Sequence, residues 1–329
     1  MRIIRLASVV MSFALLIPVI IRADDFPPEL VRFQQHGDKP VFTAAGPGSW
    51  EVKIRERGWI HLDPTANESS AKPKYRMWYT GYDGTREGIK RLGYATSADG
   101  IVWSRHKDNP LVDQHWVEDV TVVPPVEQAA RLVPESKQAS RPLYEWQMFA
   151  EGRDDQAQLL TSRDGVKWQR TGQLDVRKTN GQPIEPGPYG TPTVWLEEGV
   201  WHLFYERHDA GVWLATSRDL KVWTHVSDEP VLRPGQGLHD RDLIAMNQIV
   251  KHKGRYYAYY HGSAKGETPS LWSTCVAVSD DLRSWKKYDG NPLLPRERNR
   301  SSGIVIRDGD RFRLYTMHSE VWLHVGQPF

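Results

Sequence analysis

"TSRDGVKW" at residues 161–168 reads by itself as a surface turn, but altered copies return along the chain: "TSADGIVW" (96–103), "TSRDLKVW" (216–223) and "VSDDLRSW" (278–285). The Trp that closes each copy stands at 103, 168, 223 and 285, at spacings of 65, 55 and 62 residues, the mark of stacked structural units. The neighbours recur as well. Upstream of the copies lie aromatic runs, "YRMWYTGYDG", "YEWQMFAEGRDD", "WHLFYERHDAG" and "RYYAYYHGSAKG", and downstream come Pro-containing exits, "KDNPLV", "SDEPVL" and "DGNPLL".

The aromatic runs are dense in β-favouring residues and alternate as a strand packed between two layers does. Apolar strands precede them at "VTVVPPV" (120–126), "TPTVWLEEG" (191–199), "NQIVKHKG" (247–254) and "GIVIRDG" (303–309). A third strand ends in each Ser-x-Asp turn, where the Asp caps the backbone and Gly or its substitute permits the bend. Each unit thus reads as four short strands, starting near residues 51, 118, 189, 242 and 301. The fifth unit stops after "FRLYTMHSEVWLHV" with no outer strand, and "FQQHGDKPVF" (33–42) matches an outer-strand exit. The expectation is all-β: a five-bladed β-propeller whose ring is closed by an N-terminal strand in the last blade, an arrangement that leaves few exposed edges.

Composition narrows the function. Residues 1–23, "MRIIRLASVVMSFALLIPVIIRA", combine Arg2 and Arg5 with an apolar run, a secretory signal cut near Ala23. Residues 24–329 are then one propeller domain, secreted or periplasmic, with no membrane span after cleavage and a monomer expected. Of 43 basic residues three leave with the signal, so 40 face 41 acids, and no basic stripe marks a nucleic-acid binder. Cys275 is the only cysteine, which excludes disulfides and thiolate metal sites. Fourteen Trp and thirteen Tyr exceed what a core of this size needs.

With its Ser-x-Asp-Gly-x-x-Trp turns, Asn-Pro exits and aromatic second strands, the mature chain resembles the five-bladed propeller glycoside hydrolases, family 43 with families 32, 62, 68, 117 and 130. In such a blade the innermost strand starts at one mouth of the ring and the second strand ends there. Residues at those ends converge, and polar ones fall there in every blade: Arg55, Glu56 and Arg57; Glu118 and Asp119; Tyr189 and Thr191; Asp240, Arg241, Asp242 and Asn247; and, from the second strands, Tyr82, Glu151, Arg153, Glu206, His208, His261 and His318. Converging acids in an aromatic pocket suit glycoside hydrolysis, in which one carboxylic acid protonates the leaving oxygen and another carboxylate activates water or attacks carbon.

The resemblance to family 43 implies a base in blade one, here Glu56, an acid-tuning Asp in blade two, here Asp119, and an acid Glu in blade three. The third position holds Thr191, so the chain departs from the pattern, and Glu206, ending the second strand of that blade, is the expected replacement acid. Arg55, Arg57, Tyr82, Glu151, Arg153, Tyr189, Thr191, His208, Asp240, Arg241, Asp242, Asn247, His261 and His318 are expected to contact substrate. Trp59 and Trp116, with Tyr82 and Tyr189, are placed to stack on sugar faces, whereas Trp103, Trp168, Trp223 and Trp285 read as blade packing. No cofactor is expected. The metal question is left open, as relatives suggest a structural calcium near His261 or His318. The favoured function is a secreted glycosidase acting on a poly- or oligosaccharide; a glycan-binding propeller without catalysis and a glycoside phosphorylase are the alternatives.

Overall fold

A computed structural model describes residues 25–63, 65–66, 73–125 and 145–329; the signal expected at 1–23 lies outside them. Strand β1 (Phe33–Gln35) precedes the first blade, which consists of β2 (Lys53–Leu62), β3 (Tyr75–Tyr82), β4 (Arg91–Ser97) and β5 (Ser104–Arg105). Blade two holds β6 (Glu118–Val123), β7 (Trp146–Glu151), β8 (Ala157–Ser162) and β9 (Gln169–Gln173). After β10 (Asp175–Arg177), blade three continues with β11 (Gly190–Glu197), β12 (Val200–Glu206), β13 (Val212–Ser217) and β14 (Val222–His225). Blade four comprises β15 (Leu243–His252), β16 (Arg255–Ser263), β17 (Ser273–Ser279) and β18 (Lys286–Lys287), and blade five β19 (Gly303–Asp308), β20 (Arg311–Met317) and β21 (Val321–Gly326).

Each blade is an antiparallel meander, and the innermost strands β2, β6, β11, β15 and β19 contact one another in succession until β19 meets β2 again. In the last sheet β1 lies outermost, with Phe33, Gln34 and Gln35 opposite Gly326, Val325 and His324 of β21. Blade three differs from the four-strand expectation, because β10 adds a fifth strand parallel to β14.

The repeated turn holds itself together in the same way four times. Ser97, Ser162, Ser217 and Ser279 accept the N–H three residues on through Oγ, and Asp99, Asp164, Asp219 and Asp281 each accept two N–H groups through Oδ1. The bend residue is left-handed: Gly100 (φ 74°) and Gly165 (φ 77°) adopt this freely, while Leu220 (φ 61°) and Leu282 (φ 64°) carry a side chain through it.

The turn delivers its Trp to the preceding blade. Trp103 meets Tyr315 at an interplanar angle of 81°, Trp168 meets Trp78 at 79°, Trp223 meets Phe149 at 88° and Trp285 meets Phe204 at 80°. These edge-to-face contacts of blades one to five, one to two, two to three and three to four staple neighbouring sheets, which accounts for the period in the sequence. The exits add a second fixture: Asn109 brackets Tyr94 with its amide, and Asn291 brackets Val276.

Candidate active site

Four of the five innermost strands break register near the mouth, between Arg55 and Trp59, Glu118 and Thr121, Gly190 and Thr193, and Met246 and Gln248. A bulge at that point re-aims a side chain that regular alternation would send into the blade. Asp119 (φ 49°), Thr191 (φ 46°) and Ser302 (φ 55°) sit there in left-handed backbone, an outlier conformation for a β-branched residue such as Thr191. Each such residue costs about 1–3 kcal/mol, a strain that persists where surrounding structure over-determines it and that gathers at functional sites.

Blades one to three bring six carboxylates together there: Glu56, Glu118, Asp119, Glu151, Glu206 and Asp209. Glu118, Asp119, Glu151 and Glu206 are buried, while Glu56 and Asp209 are half-buried. Glu118 forms an ion pair with Arg55 (2.6 Å) and accepts the indole N–H of Trp116 (2.6 Å). Thr191 donates its backbone N–H to Glu151 Oε2 (2.8 Å), and its hydroxyl stands 3.4 Å from both that oxygen and Asp119 Oδ2. Glu206 accepts N–H groups at both oxygens, from Gly190 (3.2 Å) and Asp209 (2.5 Å). A Cβ on Gly190 would come within 3.0 Å of both Glu151 Oε2 and Glu206 Oε1, so the bare glycine lets the two acids close over it.

Burial together with mutual repulsion holds these groups partly protonated. Desolvation, then the charge of Glu56, raises Asp119 to about 7. Desolvation also lifts Glu118, Glu206 and Asp209 to about 7, with Asp119, Asp209 and Glu56 respectively as the leading like charge. Glu151 rises well above the carboxylate range for the same reasons, and Glu56 rises through burial against the pull of Arg55. Asp119 Oδ1 is buried and has no hydrogen-bond partner among the described residues.

The wall behind Glu118 alternates cations with rings. Buried Lys90 has its ammonium 4.3 Å from the Tyr82 ring centre and 4.5 Å from that of Trp116, and the Arg153 guanidinium covers Trp116 at 4.9 Å. Across the mouth, blades four and five offer neutral groups. His261 Nδ1 bonds Asn247 Oδ1 (2.7 Å), and burial beside Arg57 and His318 drives its pKa down to about 3. His318 falls to about 4 through burial and the charges of Arg55 and Arg300. Asn247 Nδ2, Ser302 Oγ, Thr316 Oγ1 and His318 Nδ1 are buried there without partners among the described residues.

Glu56, Asp119, Glu206, Arg55, Tyr82, Glu151, Arg153, Thr191, Asn247, His261 and His318 therefore stand at or beside the mouth, as the blade geometry implies. Asp242 anchors its rim by accepting the Lys265 N–H (2.8 Å). Five expected contacts go elsewhere. Arg57 is fully buried and spends its guanidinium on Thr193 Oγ1 (2.6 Å) and on the carbonyls of Asp119, Pro192 (2.9 Å), Met246 (3.3 Å) and Asn247 (3.2 Å), because the bulge turns it down the axis. Tyr189 precedes its bulge and packs in the core, its hydroxyl on the Leu174 carbonyl (3.2 Å). Asp240 is buried in an ion pair with Lys287 (2.5 Å) and accepts the Tyr260 hydroxyl (2.9 Å). Arg241 lies on the exposed surface, paired with its neighbour Asp242 (3.1 Å), and His208 is exposed on its turn. Trp59 likewise packs against the apolar clusters on the two faces of blade one, toward blades five and two, instead of lining the mouth.

Glu118 enters from the sequence as a mouth residue without a role, and Asp209 and Lys90 are passed over. Asp209 is legible only as the acid three residues beyond Glu206, where a left-handed turn (φ 54°) folds it back. Among the described residues, no group of three or more His, Cys, Asp or Glu side chains is arranged to hold a metal ion.

Residues 192–323 match the family model of the glycosyl hydrolases family 32 N-terminal domain. A 1,2-beta-oligomannan phosphorylase of Thermoanaerobacter sp. is 22% identical over 76% of this chain and 78% of its own length. A levanase of Bacillus subtilis is 27% identical over 36% of this chain, a stretch that makes up 21% of the levanase. Among solved structures, a glycosyl hydrolase from Bacteroides ovatus aligns at a TM-score of 0.64 with 16% identity, covering 90% of this chain and 94% of its own. A beta-1,2-mannobiose phosphorylase from Listeria innocua aligns at 0.58 with 11% identity, covering 89% and 95%. Residues 192–323 are thus similar to the glycosyl hydrolases family 32 N-terminal domain, and the chain shares its five-bladed propeller fold with solved glycoside hydrolase structures, in line with the resemblance that its repeats and aromatic strands imply.

Proposed function

We propose that the protein is an exported glycosidase that cleaves a poly- or oligosaccharide at the axial mouth, with Glu56 and Asp119 as its working carboxylates. The family match and the glycoside hydrolase neighbours support a glycosidase. The observation that carries the assignment is the pair itself: Asp119, raised to about 7 with the Glu56 charge as its leading electrostatic cause, keeps one buried oxygen unpartnered. A general acid needs a carboxyl that is protonated near the working pH and has a free oxygen to present. Asp119 meets both needs. Glu206, the replacement acid implied by the sequence, is also raised to about 7, but both its oxygens are committed to backbone N–H groups, which leaves none to present and gives it a positioning role beside Gly190. Glu56, half-open to the mouth, then activates water or attacks the sugar carbon. The neutral amide, hydroxyl and imidazole groups of blades four and five present donors and acceptors to sugar hydroxyls. The signal-like composition of residues 1–23 supports export.

A phosphorylase is the second reading, favoured by the oligomannan phosphorylase that matches over 76% of the chain. Release of reducing ends from a glycan panel, with and without inorganic phosphate, separates the two. Hydrolysis that proceeds without phosphate supports the glycosidase, and strict dependence on phosphate overturns it. Asp119→Asn should lose about 10²- to 10⁴-fold in rate on a natural glycan and much less on an activated aryl glycoside, whose leaving group needs no proton. A larger loss in Glu206→Gln, with the same rescue, would return the acid role to Glu206.

A further inference from the structure

A pocket of about 310 Å³ opens beside the mouth, between the end of blade one and the edge of blade two, where Gln114, Trp116, Arg153, Gln156, Arg170 and Gln173 line it. Amides and guanidiniums dominate its lining, together with Ile89, His115 and Asp154 and with the Trp116 ring. Trp116 belongs to both places: its N–H holds Glu118 in the carboxylate cluster, while Arg153 covers its face at 4.9 Å. The pocket therefore meets the carboxylate cluster at Glu118 through one shared side chain, Trp116.

The cations of this pocket differ from the others at the mouth. Arg55 is bound to Glu118, Arg57 is sealed in the axis and Lys90 is enclosed by rings and carbonyls. Arg153 and Arg170 are exposed, and neither forms an ion pair among the described residues. Arg170 is oriented by Gln158 Oε1, which accepts its Nε–H at 2.5 Å, and Gln158 is itself fixed on the Trp116 carbonyl (2.7 Å). Two positioned guanidiniums stand against a single lining carboxylate, Asp154. A guanidinium presents a planar fork that suits carboxylate or sulfate oxygens, and glutamine amides suit the hydroxyls around them.

We infer that this pocket is a subsite for an anionic sugar residue, a uronate or a sulfate ester, next to the sugar that is cleaved. The inference rests on the glycosidase reading for its place in a substrate but not for its own test. Binding is measured by calorimetry with the Asp119→Asn protein, which keeps the pocket and removes turnover, using oligogalacturonate, a sulfated galactan oligosaccharide and a neutral β-glucan oligosaccharide of equal length. At least one anionic glycan should bind roughly tenfold or more tightly than the neutral one, with an affinity that falls as salt rises. Whichever anionic arm binds identifies the source of the charge. Arg170→Gln and, separately, Arg153→Gln should collapse the ratio of anionic to neutral affinity, with circular dichroism confirming that each variant is folded. Equal affinity for neutral and anionic glycans, or a ratio untouched by both variants, overturns the subsite. Anionic binding by a wild-type protein that cleaves nothing would leave the subsite standing and refute the glycosidase; cleavage of neutral glycans alone would do the reverse.

Discussion

The outer edge of each blade and its inner end answer opposite demands. At the edge, four Ser-x-Asp turns use the same hydrogen bonds and send the same residue, Trp, into the blade before. At the inner end, equivalent positions hold Asp119, Thr191 and Ser302, three different side chains on the same left-handed backbone. A packing problem that recurs with the repeat keeps one solution, whereas the mouth is a single place to which each blade brings something different. Residues that repeat describe the scaffold; residues that break the repeat describe the chemistry.

The sharpest test of that division is to damage the edge and read the mouth. Trp223→Ala removes a fully buried ring from the junction of blades two and three and should destabilise the protein by about 3–5 kcal/mol in chemical denaturation. Turnover per folded molecule should stay unchanged, and a fall in specific activity at full folding would join the two regions that we separate.

A smaller effect of opposite sign should come from the mouth. Glu118, Asp119, Glu206 and Asp209 have folded-state values of about 7 against ordinary values of 4.5 or 3.8. At these four groups the folded protein therefore binds more protons than the unfolded chain between about pH 4 and pH 7, and their contribution to stability is lost as pH rises through that window. The melting temperature should fall from about pH 6.5 to pH 8, above the window in which buried His261 and His318, held neutral with values of about 3 and 4, act with the opposite sign. Asp119→Asn should reduce that fall and raise the melting temperature at pH 8 by roughly 2–4 °C for each kcal/mol of repulsion relieved. A midpoint that climbs toward pH 8 in the wild type would show that the acids are not crowded. The smallest expected change is Ser279→Ala, which removes one turn cap at the edge of blade four and should cost about 1 kcal/mol without altering the pH profile.

The same division explains what the sequence disclosed. The propeller was legible because Trp103, Trp168, Trp223 and Trp285 each solve one inter-blade contact, and that contact is written as a period. The blade ends were legible as a list of polar residues, which is why Glu56, Asp119, Glu151 and Glu206 could be placed together. Direction was not. Arg55 and Arg57 stand two residues apart, yet the register break between Arg55 and Trp59 leaves one at the mouth and sends the other down the axis. Tyr189 and Thr191 divide in the same way around the break in β11. Asp209 escaped because a left-handed turn, not a strand, carries it back to Glu206, and Lys90 because its partners are ring faces far apart in sequence.

Arg57 also bears on which way the ring is open. Its guanidinium lies across the axis and is tied to carbonyls of blades two, three and four, directly beneath the acids. A propeller without such a bar is a tube that water or a chain end could enter from either face. Here Arg57 stands in that path. On the proposed glycosidase reading, substrate would enter and product leave by the same mouth, and the reacting water would come down past the sugar or lie beneath it. One buried cation would thus set the order in which sugar and water reach the acids.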